Sequence, residues 1–297
     1  MHDAAATGAE SRDPYLQHRP HLLGVAYRIL GSHAEAEDVA QEVWLRWNAD
    51  QDRVENPKAW LVTVTTRLAV DRLRRAKARR ESYVGPWLPE PVRTEPDLVE
   101  DLVRADSVSM AMLVVLEALS PLERAVFVLH EAFGYGHVEV AQILGRTEPA
   151  VRQLLKRARD HVAADRPRYD TDRTTRQVVT ERFLKACLDG DVDSLLEVLA
   201  PDVQLVSDTG GLGRAPLRTI DGIEKVLRFF LAVAQQPLPD QRLELADVNG
   251  APAVIAWSGA EPKYVAVLDL RQGRIESIKL AANPDKLTGV ASGTGIA

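Results

Sequence analysis

The chain has 297 residues and a formal net charge of −6, and its 45% apolar and 27% charged residues are typical of a globular protein. This composition excludes a collagen, a coiled coil and a largely disordered chain, and the length predicts two or three domains. The single cysteine, Cys187, excludes an internal disulfide bond and a cysteine-rich zinc site. No apolar run approaches the roughly 18 residues of a membrane span, so we expect no membrane segment. The cysteine usage does not point to export, so we expect a cytoplasmic protein.

Three helices are predicted in the first 80 residues. Apolar residues recur at helical spacing, a Gly31–Ser32 break separates the first two helices, and Pro57 starts the third. Residues 67–81 then hold seven basic and two acidic side chains, which gives a local charge of +5. Two interpretations fit this basic run: contact with a polyanion, or a solvated helix face.

A change of composition follows at residues 82–107, where four prolines exclude a continuous helix and acidic residues dominate. We interpret this segment as a linker. Short helices resume at about Val108, and three more are expected after Arg166–Pro167. Four strands are then predicted around residues 242–248, 253–257, 264–270 and 274–280. The last part of the chain is therefore expected to be an α+β domain with an antiparallel meander.

The most specific local signal lies at residues 135–163. A short apolar helix, a tight turn at residues 145–147 and a second helix form a helix-turn-helix pattern. On the second helix an apolar seam lies beside a cationic stripe of Arg152, Lys156 and Arg159. Arginine can bond guanine edges and lysine can bond phosphates in the major groove. The pattern favours a DNA-reading helix over an ordinary helical hairpin with a basic surface.

Several segments resemble the extracytoplasmic-function group of bacterial sigma factors. Residues 38–47, 56–61 and 68–75 look like region two of that family. Residues 119–124, together with the helix-turn-helix, look like region four. The sequences YVGPWLPEP, starting at Tyr83, and NPDKL, starting at Asn283, resemble the SigJ-like subgroup, which carries a fused SnoaL-like domain.

This resemblance covers the whole chain and implies its fold. Two all-α domains, sigma region two and the helix-turn-helix region four, would be followed by an α+β SnoaL-like cone or barrel with a central pocket. The implied boundaries are 15–81 for region two, 82–107 for the linker, 108–165 for region four and 172–297 for the SnoaL-like domain.

The resemblance also implies core RNA polymerase and promoter DNA as partners. Region two would dock on the β′ clamp helices, and the β flap is a further expected contact. The residues that match the polymerase-docking segment are Glu37, Asp38, Gln41 and Glu42. The residues expected at the −10 element are Arg67, Arg72 and Arg75. Those expected at the −35 element are Arg152, Gln153, Lys156, Arg157 and Arg159.

For the C-terminal domain the subgroup resemblance implies regulation. The domain would dock on region two or the linker in place of a separate anti-sigma protein, and would respond to a small-molecule ligand. The residues assigned to these contacts are Trp87, Asp208, Gly210, Gly211, Asn283, Pro284 and Asp285. The loop at residues 208–214 reads DTGGLGR and departs from the subgroup's Asp-Gly-Gly-Gly-Lys-like loop. The linker would either thread through polymerase channels or act as a tether.

Two other functions fit parts of the sequence. An enzyme could use Asp208, Asp247 or Asp269 as a base in the C-terminal pocket. A one-component regulator could combine the helix-turn-helix with a ligand pocket, but it would leave residues 15–80 unexplained. We therefore predict a sigma factor without a catalytic residue, a cofactor or a metal of its own.

Overall fold

The computed structural model describes residues 13–80, 82–94, 109–165, 172–212 and 215–291. Parts of several predicted features lie outside the described residues: the linker after Thr94, the Arg166–Pro167 boundary, and the loop residues Gly213 and Arg214. Among the described residues, no helix combines the length and the apolar character needed to cross a bilayer.

The part of the chain that resembles sigma region two, called region two below, is a bundle of three helices: α1 (Pro14–Leu30), α2 (His33–Asp50) and α3 (Pro57–Arg80). Gly31 has a φ of 70°, in the left-handed region that glycine adopts readily, and it ends α1. Ser32 then caps α2 by accepting a hydrogen bond from the backbone of Glu35. The basic run belongs to α3, which continues for 24 residues without a break.

The part that resembles sigma region four, called region four below, contains α4 (Met110–Leu116), α5 (Pro121–Phe127), α6 (His137–Leu144) and α7 (Glu148–Asp165). A capping box between Ser120 and Glu123 starts α5, and a π-helical turn at Val128–Ala132 extends it. Gly145, with a φ of 62°, closes α6 and leads into the turn before α7. The expected helix-turn-helix is therefore present.

The C-terminal domain combines helices with one six-stranded sheet. Its elements are α8 (Arg173–Asp189), α9 (Val192–Val198), β1 (Leu199–Asp208), β2 (Ile220–Asp221), α10 (Ile223–Ala234), β3 (Gln241–Val248), β4 (Ala251–Ser258), β5 (Glu261–Arg271), β6 (Arg274–Ala281), a 3-10 turn (Pro284–Lys286) and α11 (Thr288–Ala291). The strand order is β2-β1-β6-β5-β4-β3, in which β3 to β6 form the predicted antiparallel meander. Strand β1 pairs in parallel with β6.

In the described part of the chain the buried apolar residues form three clusters, two of which join neighbouring domains. Helices α1 to α7 share one core, so regions two and four pack against each other. In the C-terminal domain, one core lies between the sheet and α8 to α10 and includes Phe183 and Ile278. A further core contains Val267 together with Leu287, after the last strand, and Met110 of α4. Helix α4 therefore links region four to the C-terminal domain.

Candidate functional site

The predicted polymerase-docking residues lie on one side of α2. Asp38 and Gln41 are exposed, and Glu37 and Glu42 are partly exposed. Arginines already neutralise the carboxylates, in the pairs Arg19–Glu37 (2.5 Å), Arg72–Asp38 (3.0 Å) and Arg46–Glu42 (2.6 Å). Exposed pairs of this kind contribute about 0–1 kcal/mol, so another basic partner can replace them at little cost.

Apolar side chains surround these carboxylates. Leu16 is 63% exposed, Trp44 40% and Leu45 57%. A cavity of about 380 Å³ opens at this surface between α1 and α2, and Tyr15 and Trp44 contribute to its walls. Exposed aromatic and aliphatic side chains beside charged groups are typical of a protein-binding surface.

The arginines of α3 have different surroundings. Arg75 is exposed, whereas Arg72 is half-buried against the carboxylates of α2. Arg67 reaches region four, where its Nε donates a hydrogen bond to the carbonyl oxygen of Ile143 at 2.9 Å. Near the end of the helix, Lys77 donates to the carbonyl oxygen of Glu117 at 2.8 Å. The basic run is thus divided between solvent, α2 and region four.

A second cavity, which the sequence did not predict, lies just before α3. It has a volume of about 500 Å³ and is lined by Asp50, Arg53, Val54, Glu55, Asn56 and Trp60. Trp60 is half-buried and packs against Trp47 with ring centroids 5.8 Å apart. The only sequence signal for this site is an aromatic ring beside a polar loop.

Helix α7 has the two faces that its sequence predicted. Its apolar seam of Val151, Leu155, Ala158 and Val162 is buried. The five predicted DNA-binding side chains, Arg152, Gln153, Lys156, Arg157 and Arg159, are all exposed. Arg152 pairs with Glu148 at 2.5 Å, and Arg159 pairs with Glu131 at 2.6 Å.

Asp208 is the centre of the contact between the C-terminal domain and the linker. Its fully buried carboxylate accepts hydrogen bonds from Tyr83 Oη (2.5 Å), Leu88 N (2.7 Å) and Lys286 Nζ (2.5 Å). Lys286 also donates to the carbonyl oxygen of Leu88 at 2.7 Å. Burial lowers the pKa of Lys286 to about 8, and the Asp208 carboxylate partly offsets this effect. We call these four residues the Asp208 site.

Trp87 contacts two cations. The Arg80 guanidinium carbon is 3.5 Å from the ring centroid, and Lys286 Nζ is 4.0 Å from it. Arg80 is the last residue of α3, whereas Lys286 belongs to the C-terminal domain. The indole ring therefore connects these two parts of the chain by cation–π contacts.

The other predicted regulatory residues surround Tyr83. Asn283 Nδ2 donates to Tyr83 Oη at 3.0 Å, and a Cβ at Gly210 would lie 2.6 Å from that same nitrogen. Gly211 faces Val84 of the linker. Pro284 and Asp285 are exposed at the 3-10 turn. The sequence predicted these two residues but missed Lys286, which is the residue of the turn that is buried.

Two more contacts were missed because their partners are distant in sequence. Glu90 of the linker is buried, and its carboxylate accepts from the backbone of His33 (2.7 Å) and Ala34 (3.1 Å) at the start of α2. Asn249, in the β3–β4 turn, donates to Tyr27 Oη at 2.5 Å and accepts from Val92 N at 3.1 Å. The linker thus contacts region two and the C-terminal domain at once.

Comparison with known proteins agrees with this geometry. The family models "Sigma-70 region 2" and "Sigma-70, region 4" match residues 15–79 and 109–162. The ECF RNA polymerase sigma factor SigJ of Mycobacterium tuberculosis is 41% identical over 286 residues, which cover 91% of each chain. This chain belongs to the ECF sigma factor family.

A second relative and a solved structure also match across the C-terminal domain of this ECF sigma factor. The probable ECF RNA polymerase sigma factor SigI of Mycobacterium tuberculosis is 32% identical over 274 residues, covering 91% of this chain and 92% of that protein. The crystal structure of Mycobacterium tuberculosis SigJ superposes with a TM-score of 0.73 at 37% identity, covering 91% of this chain and 96% of that chain. The predicted order of two helical sigma regions followed by an α+β domain is confirmed.

Proposed function

We propose that this ECF sigma factor binds the β′ clamp helices of core polymerase through the acidic and apolar side of α2. Asp38 and Gln41 offer exposed polar groups, and Leu16 and Trp44 offer apolar area beside them. Basic residues of the clamp would replace the internal arginines as the ion-pair partners of the α2 carboxylates. Region four would contact the β flap.

We propose that two parts of the chain, which we call the DNA readers, bind promoter DNA. Helix α3 and the cavity before it contact the −10 element, where Arg75 binds phosphate and Trp60 provides a stacking surface for an extruded base. Helix α7 enters the major groove at the −35 element. The observation that carries this proposal is the pattern of α7: its seam is buried, and every predicted DNA-binding side chain is exposed.

The C-terminal domain regulates these readers through the linker. The Asp208 site holds Tyr83 and Leu88, and Asn249 connects the domain to Tyr27 of region two. Docking therefore restrains the segment that joins region two to region four. A small-molecule ligand of this domain stays a prediction.

Transcription by core polymerase tests the proposal. The full chain, added to sigma-free core polymerase and a library of upstream fragments, should give transcripts that start downstream of a shared two-element motif. Arg152→Ala or Lys156→Ala should relax the preference at the upstream element and leave core binding intact. Unchanged transcription in both variants would overturn the assignment of α7.

A further inference from the structure

Arg67 joins the two DNA-reading regions of the described structure. It extends from α3 to the C-terminal end of α6, where Nε donates to Ile143 O at 2.9 Å and Nη2 donates to Gln142 O at 3.5 Å. A Cβ at Gly145, in the following turn, would lie 3.6 Å from the same guanidinium. Carbonyl groups at a helix C-terminus carry partial negative charge and attract cations.

This contact lies beside a wide packing surface between the two regions. Val70 and Leu73 of α3 belong to the same buried core as Val140 and Ile143 of α6. Towards the end of α3, Lys77 donates to the carbonyl oxygen of Leu119 at 2.5 Å. Region four therefore covers one side of the helix that is proposed to contact the −10 element.

The packed arrangement conflicts with simultaneous reading of both promoter elements. The −10 and −35 elements are about 25 base pairs apart, which corresponds to roughly 80 Å along B-DNA. Here the last turn of α6, just before the turn that leads into α7, accepts hydrogen bonds from Arg67 itself. The two regions must therefore separate before both can bind one promoter, and Arg67 must release the carbonyl groups of α6.

We propose that Arg67 is a latch with two mutually exclusive acceptors. In the free factor its guanidinium binds the C-terminal carbonyl groups of α6 and holds region four on region two. On the promoter the same guanidinium binds a backbone phosphate near the −10 element. DNA thus competes directly with region four for this side chain. The inference rests on the proposed function, since it needs region two to bind promoter DNA.

Two substitutions separate the two roles of Arg67. Arg67→Lys keeps the positive charge for a phosphate but loses the planar fork that reaches two carbonyl groups. Arg67→Gln loses the charge as well. For the opening of the free protein, Arg75→Lys and Arg75→Gln are matched controls, because Arg75 is exposed on the same helix and no contact with region four is described for it.

The first measurement is the distance between regions two and four in the free, full-length protein. Fluorescent labels at Lys58→Cys and Ala163→Cys report this distance, because both positions are exposed on α3 and α7. Burial raises the pKa of the Cys187 thiol to about 12, so it reacts slowly with the labels. Both Arg67 variants should raise the ratio of open to closed molecules by about five- to thirtyfold, and both Arg75 variants should leave it unchanged.

The second measurement is the affinity of the protein for a promoter duplex, whose sequence is first identified by transcription with the wild-type factor. Arg67→Lys should bind at least as tightly as wild type, with the same salt dependence. Arg67→Gln should bind more weakly and reduce the slope of log affinity against log salt by about one. An unchanged label distance in both variants would overturn the latch, and so would wild-type affinity and salt slope in Arg67→Gln. A wild-type factor that gives no transcripts with core polymerase would instead overturn the proposed function.

Discussion

Removing the Asp208 carboxylate should release the linker from the C-terminal domain. In Asp208→Ala the ammonium of Lys286 loses its anion while its side chain remains only 9% exposed. Tyr83 and the backbone of Leu88 also lose their acceptor. Breaking a buried ion pair by removing one partner costs about 3–5 kcal/mol, which corresponds to a change of about 150-fold or more in the docking equilibrium.

Hydrogen exchange at the Thr94 amide measures this effect. That amide belongs to the linker, donates to the carbonyl oxygen of Asp247 in β3 at 2.9 Å and does not touch Asp208, so its protection reports docking of the linker on the C-terminal domain. We expect its exchange to accelerate about 100-fold or more in Asp208→Ala. Asp202→Ala, at an exposed position of the same strand, is the control and should leave the rate unchanged. A rate within about threefold of wild type in Asp208→Ala would refute the reasoning.

Three other predictions concern polymerase, DNA and pH. Charge reversal at Asp38 and Glu42 should weaken binding of core polymerase, and normal affinity in a pull-down would contradict the docking surface. Replacing Arg152 or Lys156 with alanine should weaken promoter binding by about 1–3 kcal/mol where a base contact is lost, and should relax the sequence preference at one position. Unchanged sequence preference in both variants would exclude base contacts by these side chains. Burial raises the pKa of Tyr27 in the folded protein well above its ordinary value of 10.0. Above pH 10 the unfolded chain therefore loses this proton while the folded protein keeps it, so the contribution of Tyr27 to stability is complete below pH 10 and decreases above it. Tyr27→Phe should therefore flatten the fall in the free energy of unfolding above about pH 10 by roughly 1.4 kcal/mol per pH unit, and an unchanged slope would show that Tyr27 is not the responsible group.

Short sequence signals at turns and helix ends made much of the fold predictable. The Asn249–Gly250 and Gln272–Gly273 turns have positive φ at both residues, which matches the two-residue hairpins of an antiparallel meander. The Gly31 and Gly145 helix ends were equally visible in the sequence. The parallel pairing of β1 with β6 could not be predicted, because the paired residues lie some 70 positions apart and no local signal specifies them.

The sites were predictable only where function depends on one face of one element. The exposed stripe of α7 follows from helical periodicity alone. Glu90, Asn249 and Lys286 were missed because their roles come from partners far along the chain, and a polar side chain does not show in the sequence that it will be buried. Arg67 was predicted to contact DNA, but its contact with backbone carbonyl groups of α6 has no signature in the sequence.

The most direct test of the account is transcription by sigma-free core polymerase with the full-length chain and a library of upstream fragments. The account predicts discrete transcripts whose start sites share two upstream elements, and loss of core binding when Asp38 and Glu42 are reversed in charge. A chain that neither binds core polymerase nor starts transcription at any fragment would contradict it.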